Sequence, residues 1–324
     1  MAPIKLGILG AGIMGERLLR AALEHATDTV TVSGIWDPAE AAMARIAAAL
    51  PTVPHAQSAA RVIAGCDCVY IASPPATHLA HMQAALAAGK AIFSEKPLAV
   101  DVAQTRQFLA TEAGLRAAVN FPMASSFAVE TLKGWIAEGA VGTPRTLDID
   151  VAFKAWPRPW QHDAASWLDR PEQGGFTREV ISHFLFLTLR LAGAFTLGEC
   201  FAVFPDAGRS ERAIRAQLQA GNLPITLTGS VGTTAKDDHN TWTLQGNAGA
   251  IRLRDWSTAE RLGADGIWQP VPNMLPHEKT RPLVLRRQLE GVAAMTRGAA
   301  HHLATLEEAF AVQEAVEAIL ATPR

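Results

Sequence analysis

The sequence is short of several things, and each shortage removes a class of function. Cysteine is scarce, with only Cys66, Cys68 and Cys200 among 324 residues. A single Cys-x-Cys with no second pair lacks the spacing of a zinc site, so the thiols read as buried groups of a protein in a reducing cytoplasm. No metal is expected. Charge of either sign is also lacking in excess: 29 Lys and Arg face 31 Asp and Glu, a formal net charge of −2. With no basic stripe and no acidic tail, neither nucleic acid nor a membrane surface is an expected partner. No apolar run approaches the roughly 20 residues that a bilayer requires. The first residues lead directly into an apolar strand, without the charged segment, apolar core and cleavage site of a signal peptide, and none is expected. Internal repeats and low-complexity linkers are missing as well.

Apolar residues are plentiful, at 49% of the chain. That is enough for one large domain or two ordinary ones. The organising stretch is Ile4 to Gly15, IKLGILGAGIMG. It reads as a short apolar strand, a glycine-rich turn holding Gly10, Gly12, Ile13, Met14 and Gly15, and the start of a helix with Leu18, Leu19 and Leu23 on one face. In the G-x-G-x-x-G spacing the first glycine permits a sharp turn. The second lets backbone N–H groups approach a pyrophosphate, and the third lets helix pack on strand. The helix N-terminus then presents its positive dipole end to the phosphates. The same spacing also fits a turn that binds nothing; its place between strand and helix, with an acid following, favours the dinucleotide. That acid is Asp37, at the end of the buried strand Val30–Trp36 and at about the 20-residue distance expected of a ribose-binding carboxylate. No Arg or Lys adjoins it in sequence to neutralise a 2′-phosphate, which favours NAD and leaves NADP open. Asp37 before Pro38 is equally a helix N-cap, and the two roles are compatible.

Strand and helix then alternate. Cys66–Ala72 reads as a third strand running into Ser73-Pro74-Pro75, Ala91–Ser94 as a fourth running into Glu95-Lys96-Pro97, and Leu115–Asn120 as a fifth. Helices are expected at Ala39–Leu50 and Thr77–Ala88, and after Asp101. Such alternation argues a parallel sheet covered on both faces, whose ligands bind at the C-terminal ends of the strands. Asp37, Ser73, Glu95, Lys96 and Asn120 all fall there.

Three motifs in this order, G10-A-G12-I-M-G15, IASPPATH (Ile71–His78) and AGKAIFSEKPLA (Ala88–Ala99), resemble the glucose–fructose oxidoreductase / inositol dehydrogenase / MocA family. The resemblance implies an N-terminal Rossmann domain, a doubly wound parallel sheet over residues 1–121. It implies a C-terminal α+β domain with a large, mostly antiparallel open sheet over residues 122–324, which would bind substrate and carry oligomer contacts. It also implies NAD(P)-dependent hydride transfer on a sugar, cyclitol or related diol by a homodimer or homotetramer. It adds Pro74 and His78 to the expected cofactor set of Gly10, Gly12, Ile13, Met14, Gly15, Asp37, Ser73, Glu95, Lys96 and Asn120.

In the second half, a helix is expected at Ser125–Glu138 and an alternating strand at Arg145–Phe153. Hairpins are expected about Gly221-Asn222 and about Asn247–Gly249, and helices at Val284–Arg297 and Thr305–Leu320. The informative segment is Gly174–Phe186, GGFTREVISHFLF. Glu179 and His183, four apart, share one helix face. Relatives usually show Gly-Gly-Gly, then an Asp four before a His and a Gly two before it. Here Glu179 stands for the Asp, Ile181 for that Gly, and Arg178 is an added cation able to meet an acidic substrate. The upstream loop, Lys154–Trp167, offers aromatic faces, Trp160 among them, either for a sugar ring or as anchors at an interface. His301-His302 reads as surface.

A hydroxyl carbon yields hydride only if its O–H proton also leaves. His183, an imidazole that titrates near neutrality, is the candidate base. Lys96 is the candidate cation for the developing alkoxide. Glu179 would orient His183 or the substrate. Two other classes stay open: a lyase or glycosidase that recycles a bound nicotinamide, and a non-catalytic nucleotide-binding sensor.

Overall fold

The computed structural model describes residues 2–111, 114–272 and 275–322. The chain forms two compact units, Met1–Ser125 with Glu278–Phe310, and Ser126–His277 with Ala311–Arg324. Each is built from two segments, whereas the sequence suggests a single cut at residue 121.

The first unit is laid down as β1 (Ile4–Leu9), α1 (Ile13–His25), β2 (Val30–Trp36), α2 (Glu40–Ala49), α3 (Ala59–Ala64), β3 (Cys68–Ile71), α4 (His78–Ala87), β4 (Ala91–Glu95), α5 (Val102–Thr111) and β5 (Ala117–Asn120). The strands form one parallel sheet in the order β2-β1-β3-β4-β5. Crossing from β1 to its two neighbours reverses the direction of winding, and that crevice is where ligands of such sheets bind. Strands buried on both faces read as unbroken apolar runs, which is why all five are legible in the sequence. Helix α3 is not. It is six residues long, too short to display a period, and it starts where the Ser58 hydroxyl accepts the Arg61 N–H at 3.3 Å.

The second unit contains α6 (Phe127–Ala137), β6 (Pro144–Phe153), α7 (Ala165–Leu168), α8 (Ser182–Ala192), β7 (Thr196–Val203), β8 (Ala213–Ala220), β9 (Leu223–Val231), β10 (His239–Gly246), β11 (Ala250–Arg254), β12 (Thr258–Leu262) and β13 (Trp268–Pro270). Its sheet runs β13-β12-β11-β10-β6-β9-β8-β7. Neighbours are antiparallel, apart from the parallel pair β6–β9. Alternation sets its inner face: Leu147, Ile149 and Val151 of β6 and Trp242 and Leu244 of β10 are buried. Helix α8 lies on that face, and the Trp242 indole donates to the Thr188 hydroxyl at 3.0 Å.

Two helices close the chain, α9 (His277–Thr296) and α10 (Leu306–Leu320). Leu289, Val292, Ala293 and Met295 of α9 join the core built on Leu6, Ile8, Tyr70 and Phe93. The late segment thus completes the first unit's sheet packing, a long-range pairing that local sequence does not encode.

Candidate functional site

The glycine-rich turn separates two kinds of glycine. Gly10 has φ +104°, and a β-carbon there would lie 2.5 Å from the Ala72 carbonyl oxygen. A β-carbon on Gly15 would lie 2.0 Å from the Gly10 carbonyl oxygen. Both glycines are demanded by the fold itself. Gly12 is different: its φ of −75° suits any residue, and a β-carbon there would meet no described atom within 4 Å. Folding does not require a glycine at this position, whereas a ligand that must touch the backbone does. Gly12 is also the N-cap of α1, whose first amides receive no side-chain cap among the described residues. The turn therefore has the room and the free amides that a pyrophosphate requires, along the backbone from Gly12 through Ile13 and Met14. Met14 accepts a contact from Arg17 Nη1 through its sulfur at 3.2 Å.

Asp37 is not the N-cap of the next helix, a position held by Ala39. One carboxylate oxygen accepts the Ala11 N–H at 2.8 Å, pinning the turn, and the other accepts the Ala39 N–H at 2.8 Å, closing a local turn just before the next helix. Each oxygen keeps a lone pair for a ribose hydroxyl. The absence of a neighbouring cation in sequence does not survive folding. Arg45 of α2 donates from Nη2 to the Ala11 carbonyl at 2.6 Å, and its Nη1 pairs with Glu16 of α1.

At the other strand ends the structure corrects part of the expected cofactor set. Ser73 and Pro74 follow β3, with the Ser73 hydroxyl 2.7 Å from that of Thr77. His78 is fully buried and faces inward, with Nδ1 2.9 Å from the Pro97 carbonyl and Nε2 2.8 Å from the Ser73 carbonyl. It ties the β3 loop to the β4 loop. Burial lowers its pKa, and a neutral ring has one N–H to give, so it bonds one of those carbonyls at a time. Glu95 and Asn120 are likewise buried. Glu95 Oε1 accepts from the Tyr70 hydroxyl and from Asn120 Nδ2, the latter at 2.7 Å, and Asn120 in turn accepts from Gln288 of α9. Burial, then the adjacent Glu95 carboxylate, push the Tyr70 phenol well above its usual value. This network braces the base of the site, so Glu95 and Asn120 are positioning residues. Lys96 stands just beyond it with 8% exposure.

In the second unit, the segment carrying Glu179 and His183 is not plain α-helix. Thr177–Ile181 forms a π-turn that passes directly into α8. One widened turn leaves Glu179 and His183 close to one face and is a feature enriched at functional sites. Within a buried run, Glu179 is half-buried, and His183 keeps 8% exposure. Ile181, standing where relatives have glycine, is wholly buried. Arg178 is the clear correction. It is 5% exposed, its guanidinium is forked onto Glu317 of α10 at 2.7 Å on both nitrogens, and Nη1 also donates to the Pro171 and Gly174 carbonyls. That cation holds its own unit together and is not directed at a substrate.

Two features of this site escape the sequence. Asp255 and Trp256 both adopt positive φ, +46° and +71°. This is rare for a bulky residue, and Asn240 maintains it by accepting the Trp256 N–H through Oδ1 at 3.2 Å. The strained turn sets the Trp256 ring edge-on to His183, with centroids 5.4 Å apart. Asp238 then links this indole, at 3.0 Å, to Arg158, at 2.7 Å. Arg158 stacks on Trp160, 4.7 Å from the ring centroid. Within the long loop Trp156 is a buried anchor against Phe153 and Phe176, while Trp160 is half exposed. His302 is also not simple surface, because its Nε2 lies 2.8 Å from the Ser125 hydroxyl. Among the described residues no group of three His, Cys, Asp or Glu could hold a metal ion, and no helix is long and apolar enough to cross a membrane.

A five-stranded parallel sheet with a glycine turn and Asp37 at its crevice, joined in one chain to a large open sheet, defines the class of two-unit, Rossmann-type nucleotide-binding proteins. Residues 4–121 match the family model of the Gfo/Idh/MocA oxidoreductases, NAD-binding Rossmann fold. An inositol 2-dehydrogenase of Cereibacter sphaeroides is 36% identical over 115 residues, 35% of this chain and 34% of that protein. A 1,5-anhydro-D-fructose reductase of Ensifer adhaerens is 29% identical over 157 residues, 48% and 46% of the two chains. The matched part thus spans less than half of these relatives. An inositol dehydrogenase homologue from Azotobacter vinelandii, solved with NAD+, has the same fold over 99% of this chain and 95% of its own, with a TM-score of 0.81 at 17% identity.

Proposed function

We propose that the protein is an NAD-dependent oxidoreductase that moves a hydride between nicotinamide and a hydroxyl carbon of a sugar, cyclitol or related diol. The observation that carries this reading is the C-terminal edge of the first sheet, where the open glycine turn, Asp37, Ser73 and Lys96 follow β1, β2, β3 and β4 in turn. The names of the relatives, a cyclitol dehydrogenase and an anhydro-sugar reductase, support the substrate class.

The backbone at Gly12, Ile13 and Met14 holds the pyrophosphate and Asp37 the adenosine ribose. When bound, the nicotinamide supplies the hydride acceptor. Lys96 stabilises the negative charge that grows on the substrate oxygen as its proton departs. The His183 imidazole takes that proton, its ring held by the edge of Trp256. Glu179, half-buried at the π-turn, orients the substrate hydroxyl or His183. Trp160, backed by Arg158, presents an aromatic face to the apolar side of a sugar ring. We place the protein in the cytoplasm as a homodimer or homotetramer, which light scattering on the purified chain tests.

The deciding experiment screens sugars, inositols, sugar acids and aromatic diols with NAD and NADP by absorbance of the reduced cofactor. Net NADH release with one of them separates this function from a lyase that recycles its cofactor. With that substrate, Lys96→Ala and His183→Ala should each cut turnover by roughly a hundredfold or more. The NADH dissociation constant should stay nearly unchanged. Near-native turnover in either variant removes that residue from the chemistry.

A further inference from the structure

Residue Ala11 is held from two sides by opposite charges. Its N–H bonds Asp37, and its carbonyl accepts Arg45 Nη2 at 2.6 Å. The carboxylate proposed to hold the ribose and the guanidinium of Arg45 are thus separated by a single residue's backbone. The Arg45 side chain is 49% exposed, so it is open to solvent on the side away from Ala11 and Glu16. Its partner is Glu16 of α1, which also accepts Arg20 Nε and Nη2 at 2.9 and 2.7 Å. Two guanidiniums therefore share one carboxylate. Removing the charge of Glu16 would leave two cations facing one another beside the ribose site, with Arg45 still tethered to the Ala11 carbonyl.

We propose that Glu16 sets coenzyme selectivity, by occupying the Arg45 guanidinium that would otherwise receive the 2′-phosphate of NADP. An arginine near the ribose is what accommodates that phosphate in dinucleotide folds, because its planar fork matches phosphate oxygens. With Glu16 ionised, a 2′-phosphate must compete with a carboxylate already paired to Arg45 and must also face Asp37. NAD, which brings a neutral hydroxyl, meets neither cost. The ordinary i,i+4 pair Glu16–Arg20 would stabilise α1 by itself. The added reach of Arg45 from α2, onto both Glu16 and the turn carbonyl, is what links the pair to the ligand. The inference rests on the dinucleotide reading of the turn, and it requires no substrate.

The test is direct titration of NADH and NADPH, followed by protein fluorescence quenching, on the full chain and three variants. Glu16→Gln should tighten NADPH by roughly tenfold while NADH changes little. Adding Arg45→Met to Glu16→Gln should abolish that gain. Arg45→Met alone should weaken NADPH more than NADH, which keeps the test available if Glu16→Gln folds poorly by circular dichroism. An unchanged NADPH-to-NADH ratio in folded Glu16→Gln overturns the proposal, as does a gain that persists in the double variant. Failure of the unmodified chain to bind either nucleotide overturns the dinucleotide reading itself, and the selectivity role with it.

Discussion

At the residue scale, charges that look available in the sequence are mostly engaged in holding loops in place. Glu211 is the sharpest case. It is fully buried, accepts the Thr177 N–H at 2.6 Å, and lies where a β-carbon on Gly175 would come within 2.3 Å of its Oε2. The Gly-Gly entry to the π-turn is thus shaped around a carboxyl that lies 34 positions beyond Thr177. Burial pushes that carboxyl above its ordinary value, and the Thr177 bonds offset this only in part. Such a group stabilises the fold fully below the unfolded-state pKa, near 4.5, and the contribution is lost as pH rises through the higher folded-state value. Glu211→Gln keeps an acceptor for Thr177 and cannot ionise. Its melting temperature relative to the parent should therefore rise between about pH 4 and pH 7.5. A constant difference across that range would show that Glu211 titrates in the fold as it does in the unfolded chain.

At the scale of elements, β1, the glycine turn and α1 form one device in which each glycine has its own reason. The contrast between Gly15 and Gly12 makes this measurable. Gly15→Ala forces a β-carbon onto the Gly10 carbonyl and should destabilise the protein by about 1–3 kcal/mol, read by denaturant unfolding. Gly12→Ala enters open space at an unstrained φ. It should leave stability within about 0.5 kcal/mol yet weaken NADH at least tenfold, because the pyrophosphate needs that room. Equal losses of stability in both variants would return Gly12 to a purely structural role. The same scale explains what could be read in advance. The five apolar strands and the hairpin about Gly221-Asn222 announce themselves through burial pattern and turn chemistry. The π-turn at Thr177–Ile181 does not, because a four-residue spacing suits either helix type. The Asp255-Trp256 turn is equally silent, since no local propensity favours positive φ in a tryptophan; Asn240, from the neighbouring strand, imposes it.

At the scale of the whole molecule, the two units are each closed by chain that arrives late, and each has its own core. Cysteine chemistry can report on them separately. Cys66 and Cys68 lie in the first unit, both buried, and burial pushes their thiols up to about 11 and about 12. Cys200, in β7 of the second unit, is partly exposed. At about pH 8, a disulfide reagent should label one thiol quickly and the other two only as the first unit opens. Added denaturant should bring all three to the same rate. Three fast thiols in the native protein would mean that the first unit's sheet opens far more readily than its packing implies.

The linear order of residues determined the alternation of strand and helix, the glycine spacing, and the positions of Asp37, Lys96, Glu179 and His183. These depend on burial period, turn chemistry and distance along the chain, which are local quantities. Only the tertiary structure decided that Arg178 is drawn inward by Glu317, that His78, Glu95 and Asn120 support loops, and that Arg45 stands beside Ala11 with Glu16. Each of those outcomes turns on a partner from a different element. A side chain's charge is written in the sequence, but what that charge faces is set by folding.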